Sequence, residues 1–255
     1  MGTAIPTVYS VPTERTSPRW SEAFAAGCGG RVQVLGPLRP GPVAVWGSTA
    51  LWQDVVIQAQ AEGRDWYYGD HGYFGRGRYF RITKNAYQHS GIGDPDYRRL
   101  AQFHLSIKRW RYSGSHVLVC PPDEVFAGLM GFKAKRWLRD TLSCLKKHTD
   151  RPIRVRSREF GDAGDRPLAV DLRDCFALVT YTSNAAVEAV LAGVPVICTG
   201  PCAAQTMGLS DPRKIESVVR PPGRVRWIAV LAANQWTLNE IHAGVAWASL
   251  SRESG

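Results

Sequence analysis

Residues 65–91, DWYYGDHGYFGRGRYFRITKNAYQHSG, carry side chains whose types and spacing could do proton transfer. Asp70 and His71 stand at the end of a predicted strand, directly before Gly72. A carboxylate or an imidazole in that position can take the proton of an attacking hydroxyl group. The pair is therefore a candidate catalytic site, with Asp70 as the base and His71 as a second base or as the group that orients Asp70. The alternative is an Asp70 that only makes turn hydrogen bonds beside Gly72.

A second candidate site lies at residues 181–197, YTSNAAVEAVLAGVPVI, which are predicted to form a strand end, a short helix and a second strand. Ser183 is a good N-cap, so the free amides of the helix start would point towards a ligand, where partial positive charge favours phosphate. Glu188 lies about one and a half turns further along the helix and could reach a ribose hydroxyl pair. Gly193 ends the helix. The alternative is a tight βαβ corner that binds nothing.

The segment from Ser183 to Pro195 resembles the nucleotide-sugar site of glycosyltransferases of the GT-B architecture, which have two facing Rossmann-like domains. The resemblance implies that Ser183 and Asn184 face the donor diphosphate and that Glu188 holds the ribose. It also implies a nucleotide sugar, specifically a UDP-sugar, as co-substrate, with no further cofactor. A similar pattern occurs in sugar-nucleotide 2-epimerases, so an epimerase that needs no acceptor is an alternative.

A donor diphosphate needs cationic partners, and arginine is a strong partner for phosphate. The segment RVRSR places Arg154, Arg156 and Arg158 at alternating positions of a predicted strand. We expect Arg156 to be the main phosphate ligand and Arg154 a second one; the alternative is an exposed arginine on an edge strand. The sequence has no histidine-carboxylate cluster with metal spacing, so no metal is predicted.

The chain of 255 residues has a formal net charge of +10, and an excess of Lys and Arg favours polyanionic partners. Residues 76–111 contain nine Lys and Arg against two Asp. Aromatic rings interleaved with arginines suit nucleic acid, because rings stack on bases and guanidinium groups meet phosphates. The alternative is a solvated basic face. The candidate nucleic-acid contacts are Arg76, Arg78, Arg81, Lys84, Tyr73 and Phe74.

Residues 65–91, residues 181–197 and the terminal QWTLNEIHAGVAW together resemble bacteriophage-encoded glycosyltransferase-like proteins. Some members of that group attach sugars to hydroxymethylated pyrimidines in DNA. The resemblance implies double-stranded DNA with modified bases as the acceptor, with the target base reached in the groove or extruded. Transfer to a carbohydrate or a protein, and a DNA-binding protein without catalysis, are the alternatives.

Strands and helices alternate along the chain. Strands are predicted at PVAVWGS, DWYYGD, HVLVCPP, RPIRVRSR, FALVTYTS and PVICTG, and helices at 51–61, 132–148, 183–193, 226–233 and 237–243. The last of these helices is predicted to begin with a capping box of Thr237 and, three residues later, Glu240. The alternation predicts an α/β fold whose parallel sheets bind ligands at the carboxyl ends of strands.

We expect two small Rossmann-like domains facing across a cleft, with residues 1–112 on the acceptor side and residues 113–255 binding the donor. The helices after Pro222 are expected to return to the first domain. Residues 1–40, rich in Pro and Gly, are expected to wrap the surface.

Composition is that of a globular protein: 44% of residues are hydrophobic and 21% charged, enough for a sizeable core. No apolar run approaches the roughly 20 residues of a membrane helix, and the N-terminus lacks a secretory signal. A cytoplasmic location without a membrane partner is therefore expected. The six cysteines are scattered and are predicted to be buried free thiols.

Overall fold

The computed structural model describes residues 4–13, 16–34, 36, 38–47, 53–157 and 166–252. The chain forms two compact units, Met1–Tyr87 with Asn234–Gly255, and Gln88–Ala233. This division differs from the boundary expected after residue 112, because residues 88–112 pack within the second unit. There the Asp96 amide donates to the Ala229 carbonyl at 3.2 Å, and the Arg111 amide donates to the Gly193 carbonyl at 2.8 Å.

The first unit is built on a six-stranded sheet with the order β10-β5-β4-β3-β1-β2. Strands β1 to β4 run parallel, whereas β5 is antiparallel to both β4 and β10. Because β2 and β3 lie on opposite sides of β1, the strand order reverses between β1 and β3. The strands are β1 (Thr7–Ser10), β2 (Arg31–Val34), β3 (Val43–Trp46), β4 (Trp66–His71), β5 (Tyr79–Lys84) and, the tenth in chain order, β10 (Gln235–Thr237).

The helices of this unit are α1 (Ser17–Cys28), α2 (Gln53–Ala61), α9 (Leu238–His242) and α10 (Val245–Arg252). Trp20 and Phe24 of α1 are fully buried and stack with ring centroids 5.1 Å apart. Gly69 of β4 makes room for Trp20, since a Cβ at Gly69 would lie 2.3 Å from that ring. The hydroxyl of Thr237 and the carboxylate of Glu240 form the predicted capping box at the start of α9.

The expectation that residues 1–40 wrap the surface is wrong. All four residues of β1 are buried, because this strand lies between β2 and β3 inside the sheet. Trp20 and Phe24 stand four residues apart on the buried face of α1, and this helical spacing is the signal that the prediction missed. The helix ends at Gly29, which adopts a left-handed conformation with φ of 72°.

The second unit has a four-stranded parallel sheet with the order β7-β6-β8-β9, which confirms the predicted α/β fold. Its strands are β6 (His116–Cys120), β7 (Ile153–Val155), β8 (Cys175–Thr180) and β9 (Val196–Cys198). Its helices are α3 (Tyr97–Ala101), α4 (Glu124–Leu129), α5 (Ala134–Lys146), α6 (Leu168–Asp171), α7 (Ala185–Leu191) and α8 (Arg224–Ala233), with 3-10 turns at Gln205–Met207 and Pro212–Ser217. Of the helices expected to return to the first unit, α9 and α10 belong to it and α8 does not.

The predicted strand over 151–158 is shorter in the structure, where β7 covers Ile153–Val155, and Arg158 lies outside the described residues. The helix predicted over 51–61 is present over Gln53–Ala61, and residues 51 and 52 lie outside the described residues.

The cysteines are free thiols; Cys144 is half-buried and the other five are buried. Burial raises the pKa of Cys120 and of Cys175 to about 12, so these sulfur atoms stay protonated and unreactive at neutral pH. No helix in the described part of the chain has the length and apolar character needed to cross a membrane.

Gly193 shows why the helix α7 ends in Gly-Val-Pro. Its φ of 76° is left-handed, and a Cβ at this position would lie 2.0 Å from the carbonyl oxygen of Arg109. A neighbouring segment thus crosses the helix end in direct contact with the Gly193 backbone. The carbonyl of Pro195 then accepts a hydrogen bond of 2.9 Å from the Leu178 amide, which starts the pairing of β9 with β8.

We predict that Gly193→Ala lowers the free energy of unfolding by about 3 kcal/mol, the sum of left-handed strain and overpacking. Gly223 provides the matched control, because its φ is 82° and a Cβ there would meet no atom of the described residues within 4 Å. Gly223→Ala should therefore lose only about 1 kcal/mol. Urea unfolding of the three proteins checks this, and equal losses in both variants would contradict the crowding at Gly193.

Candidate functional site

The sheet of the second unit reverses its strand order between β6 and β8. In open α/β sheets, ligands bind outside the carboxyl ends of strands at such a reversal. Here the hydroxyl of Thr180, the last residue of β8, donates to the carbonyl of Cys120, the last residue of β6, at 2.6 Å. The chain after β6 continues with Pro121 and Pro122, which have no amide hydrogens to offer. Polar groups at the reversal therefore come mainly from the loop Tyr181–Asn184.

The amides at the start of α7 are bonded within the protein, which corrects the prediction that they hold a phosphate. The Ser183 amide donates to Thr180 Oγ1, and the Ala185 amide donates to Ser183 Oγ, both at 3.2 Å. The Ala186 amide donates to the Ser183 carbonyl at 3.1 Å. The helix is seven residues long and its N-cap position is Asn184, one residue later than predicted.

Three buried oxygen atoms around this loop have no hydrogen-bond partner among the described residues: Thr182 Oγ1, Asn184 Oδ1 and Gln88 Oε1. Gln88 lies beside the loop because its Nε2 donates to the Thr182 carbonyl at 3.2 Å. A buried polar group without a partner costs about 1–3 kcal/mol, and native structures keep few of them. These three oxygens, around one loop, are candidates to accept hydrogen bonds from a ligand. The sequence predicted Asn184 as a site residue but missed Thr182 and Gln88.

An aromatic cluster stands at the same edge of the sheet. The Tyr181 ring lies 4.7 Å from the Phe132 ring and 6.5 Å from the Trp137 ring, measured between centroids. Trp137 Nε1 donates to Thr199 Oγ1 at 2.9 Å, so this ring is fixed in place. All three rings are half-buried. They form a wall that can pack against a sugar or a base, and only the position of Tyr181 directly after a strand signalled this in the sequence.

Glu188 is exposed in the first turn of α7, and its role as a ribose ligand stays a prediction. Arg156 is not available as the predicted phosphate ligand, because it forms an ion pair with the buried carboxylate of Asp171. It also donates to the Arg166 carbonyl at 2.7 Å. The alternative for Arg156, an exposed arginine on an edge strand, is also wrong, because Arg156 is half-buried. Arg154 is exposed on the edge strand β7, and its role as a second phosphate ligand stays a prediction.

In the first unit, Asp70 is the counter-ion of a buried arginine. Asp70 Oδ2 lies 2.5 Å from a guanidinium nitrogen of Arg81, which is 2% exposed, and Asp70 Oδ1 accepts from the His71 amide at 2.7 Å. Arg81 also donates to the carbonyls of His71 and Tyr87, at 3.2 and 2.9 Å. Both carboxylate oxygens therefore have strong donors, and the predicted role of Asp70 as the base is corrected to a structural one.

His71 is the better candidate base, at the carboxyl end of β4. Its half-buried ring meets the Trp46 ring edge-on, with centroids 5.3 Å apart. Burial lowers the pKa of His71 below 6.5, aided by the charges of Arg76 and Arg81 and opposed by Asp70. The imidazole is thus neutral at neutral pH. Its Nδ1 is buried and bonds to none of the described residues.

The six predicted nucleic-acid contacts do not form one surface. Arg76 and Arg78 are exposed in the turn between β4 and β5. Tyr73 and Phe74 are 5% and 4% exposed, so their rings are not available to stack on bases, and Arg81 is buried beneath them. Lys84 lies at the other end of β5, paired with Asp65 at 2.8 Å.

The described residues contain no group of three His, Cys, Asp or Glu side chains that could hold a metal ion.

No protein-family model and no curated protein matches this chain. Two solved structures of KpsC from Thermosulfurimonas dismutans are similar to it. The first, a beta Kdo 2,4 transferase, has a TM-score of 0.54 at 12% sequence identity, over 91% of this chain and 92% of that chain. The second, a beta Kdo 2,7 transferase, has a TM-score of 0.51 at 13% identity, over 95% and 99%. At these identities the similarity shows the fold, which is the Rossmann-like α/β fold that the sequence predicts.

We predict that Asp70→Asn lowers the free energy of unfolding by about 3 kcal/mol, because it leaves the Arg81 charge buried without its counter-ion. Asp65→Asn is the matched control, since its pair with Lys84 is more exposed and should contribute less than about 1 kcal/mol. Denaturant unfolding of both variants measures the difference. If Asp70→Asn loses no more free energy of unfolding than Asp65→Asn, the pair with Arg81 contributes little to stability. Asp70 would then be a candidate base again.

Proposed function

We propose that this protein is a glycosyltransferase that moves a sugar from a nucleotide-sugar donor to a hydroxyl acceptor. The observation that carries the proposal is the set of three oxygens, of Gln88, Thr182 and Asn184, that lack a partner in the described chain at the strand reversal. Sugars and riboses present many hydroxyl donors, which match acceptor oxygens, whereas a phosphate has only acceptor atoms. The fold similarity to two Kdo transferases supports the same reaction class.

The donor would be held by its hydroxyl groups. In this proposal Thr182 and Asn184 accept from them, and Glu188 takes a ribose hydroxyl pair with charge-assisted hydrogen bonds. Ser183 orders the helix start through its bond to the Ala185 amide. The half-buried ring of Tyr181 packs against the sugar or the base. A UDP-sugar is the first donor to assay, alongside GDP-, dTDP- and CMP-linked sugars.

His71 would act on the acceptor. In this proposal its neutral imidazole takes the proton of the acceptor hydroxyl while that oxygen bonds to the anomeric carbon of the donor sugar. The bond from this carbon to the phosphate oxygen breaks, and the nucleotide leaves with the electron pair. The exposed Arg76 and Arg78, in the turn after β4, would attract an anionic acceptor.

A carbohydrate hydroxyl is the acceptor class that we favour. The buried positions of Tyr73 and Phe74 remove the aromatic contacts that duplex DNA with flipped bases would need. Hydroxymethylated duplex DNA is assayed beside oligosaccharide acceptors to decide between them. A sugar-nucleotide epimerase is separated by incubating the donor without any acceptor, because only an epimerase then yields a changed nucleotide sugar.

We predict that Thr182→Val and Asn184→Leu weaken donor binding about tenfold each, because each removes an oxygen that the donor bonds. Both variants should be as stable as the wild type or more stable, because the lost oxygens bond to none of the described residues in the free protein. Isothermal titration with the nucleotide-sugar panel and urea unfolding give the two values.

Thr180→Val is the matched control for this experiment. The Thr180 hydroxyl donates to the Cys120 carbonyl and accepts from the Ser183 amide, so its loss should lower stability by about 1–3 kcal/mol. If Thr182→Val and Asn184→Leu bind every donor as tightly as the wild type, the site is not at this loop and the proposal fails.

We predict that transfer by the wild type falls at acidic pH. The pKa of His71 is lowered below 6.5, so the neutral base is fully present at pH 7 and is lost as the pH falls through that lowered pKa. His71→Gln should reduce kcat about 10²–10⁴-fold and abolish this acidic limb. His148→Gln, at an exposed histidine just after α5, is the control. If the activity of His71→Gln still falls at acidic pH as in the wild type, another group is responsible for that pH dependence.

A further inference from the structure

The second unit carries a ribbon of two segments, residues 108–112 (KRWRY) and residues 219–226 (VRPPGRVR), which we call the strap. The segments run side by side in opposite directions. Arg220 Nε donates to the Arg111 carbonyl at 2.5 Å, and Trp110 Nε1 donates to the Pro221 carbonyl at 3.1 Å. Arg224 donates to the Lys108 carbonyl at 2.7 Å. The two segments therefore form one continuous surface.

The strap is strongly cationic, and no carboxylate of the described residues neutralises its arginines. Its thirteen residues contain six Lys or Arg and no Asp or Glu. Within the described chain, the guanidinium groups of Arg111, Arg220, Arg224 and Arg226 bond to backbone carbonyls, and none of them has a carboxylate at ion-pair distance. Carbonyl partners fix an arginine in place without cancelling its charge. This distinguishes the strap from Arg81 and Arg156, whose charges are neutralised by internal carboxylates.

Apolar side chains are exposed between these cations. Tyr112 is 78% exposed, with the Arg220 guanidinium over its ring at 4.6 Å. Val225 is 51% exposed and Val219 is 37% exposed. A folded protein exposes single aliphatic residues often, but here they alternate with uncompensated cations along one ribbon.

We propose that the strap docks this protein on an anionic lipid surface. Lys and Arg side chains attract negatively charged lipid head groups. Exposed aliphatic and tyrosine side chains insert at the boundary between the head groups and the acyl chains. Single-stranded nucleic acid would also meet the cations, but valines have no planar face on which a base can stack. The two exposed valines thus favour a bilayer. We expected no membrane partner because the sequence has no apolar run long enough to span a membrane. Docking through the strap does not require a spanning helix.

The full-length protein is tested by sedimentation with large unilamellar vesicles of phosphatidylcholine, with and without about 30 mol% phosphatidylglycerol, which gives the surface a negative potential. Two exposed cations are neutralised in Lys108→Gln/Arg109→Gln, and two aliphatic groups are removed in Val219→Ser/Val225→Ser. Lys146→Gln/Lys147→Gln is the matched control, because it removes the same charge from exposed lysines at the end of α5. Single-stranded DNA is titrated in parallel.

We expect binding to the anionic vesicles alone, weakened by added salt. Loss of the two strap cations should reduce affinity about 25-fold, loss of the valines about tenfold, and the control should change it by less than about threefold. The proposal is overturned by failure to bind anionic vesicles, by equal binding to both vesicle types, or by equal loss in the strap and control variants. Tight binding to DNA with no binding to vesicles would assign the strap to nucleic acid instead.

Discussion

The candidate site of the second unit depends on the hydrogen bond from the Thr180 hydroxyl to the Cys120 carbonyl. It adds a side-chain bond to the backbone pairing of Cys120 with Thr180 at the carboxyl ends of β6 and β8, where the strand order reverses. The same hydroxyl accepts from the Ser183 amide and so sets the path of the chain into α7. With the backbone groups satisfied in this way, the side-chain oxygens of Thr182 and Asn184 are left buried without a partner in the described chain.

Sequence periodicity predicts an element of this fold well where the apolar pattern of its own residues shows that it is buried. The strands HVLVC and FALVT are continuous apolar runs, as strands covered on both faces must be, and each is found where it was predicted. The start of the chain was mispredicted because the Pro and Gly content of residues 1–40 was given more weight than the short apolar run of β1. The capping box at Thr237 and Glu240 was predicted because both partners are local.

The roles of charged residues could not be predicted from the sequence in the same way. Arg156 and Arg154 stand in equivalent positions of one pattern, yet one pairs with Asp171 and the other is exposed. The difference depends on α6, fifteen residues further on, which the pattern around the arginines does not contain. Asp70 is similar, since its partner Arg81 reaches it only through the pairing of β5 with β4. Gln88, which bonds to a loop 94 residues away, carries no local signal at all.

The groups that the arginines contact also decide how the net charge of +10 acts outside the protein. Where an arginine meets a carboxylate, as Arg81 and Arg156 do, its charge stabilises the fold and adds little to the external field. Where it meets only carbonyls, as Arg220 and Arg224 do, the full charge acts on solvent and on any partner. The polyanion binding that the composition predicts is therefore expected at the strap and at the exposed Arg76 and Arg78. The buried Arg81, by contrast, is neutralised by Asp70 across the pairing of β4 with β5.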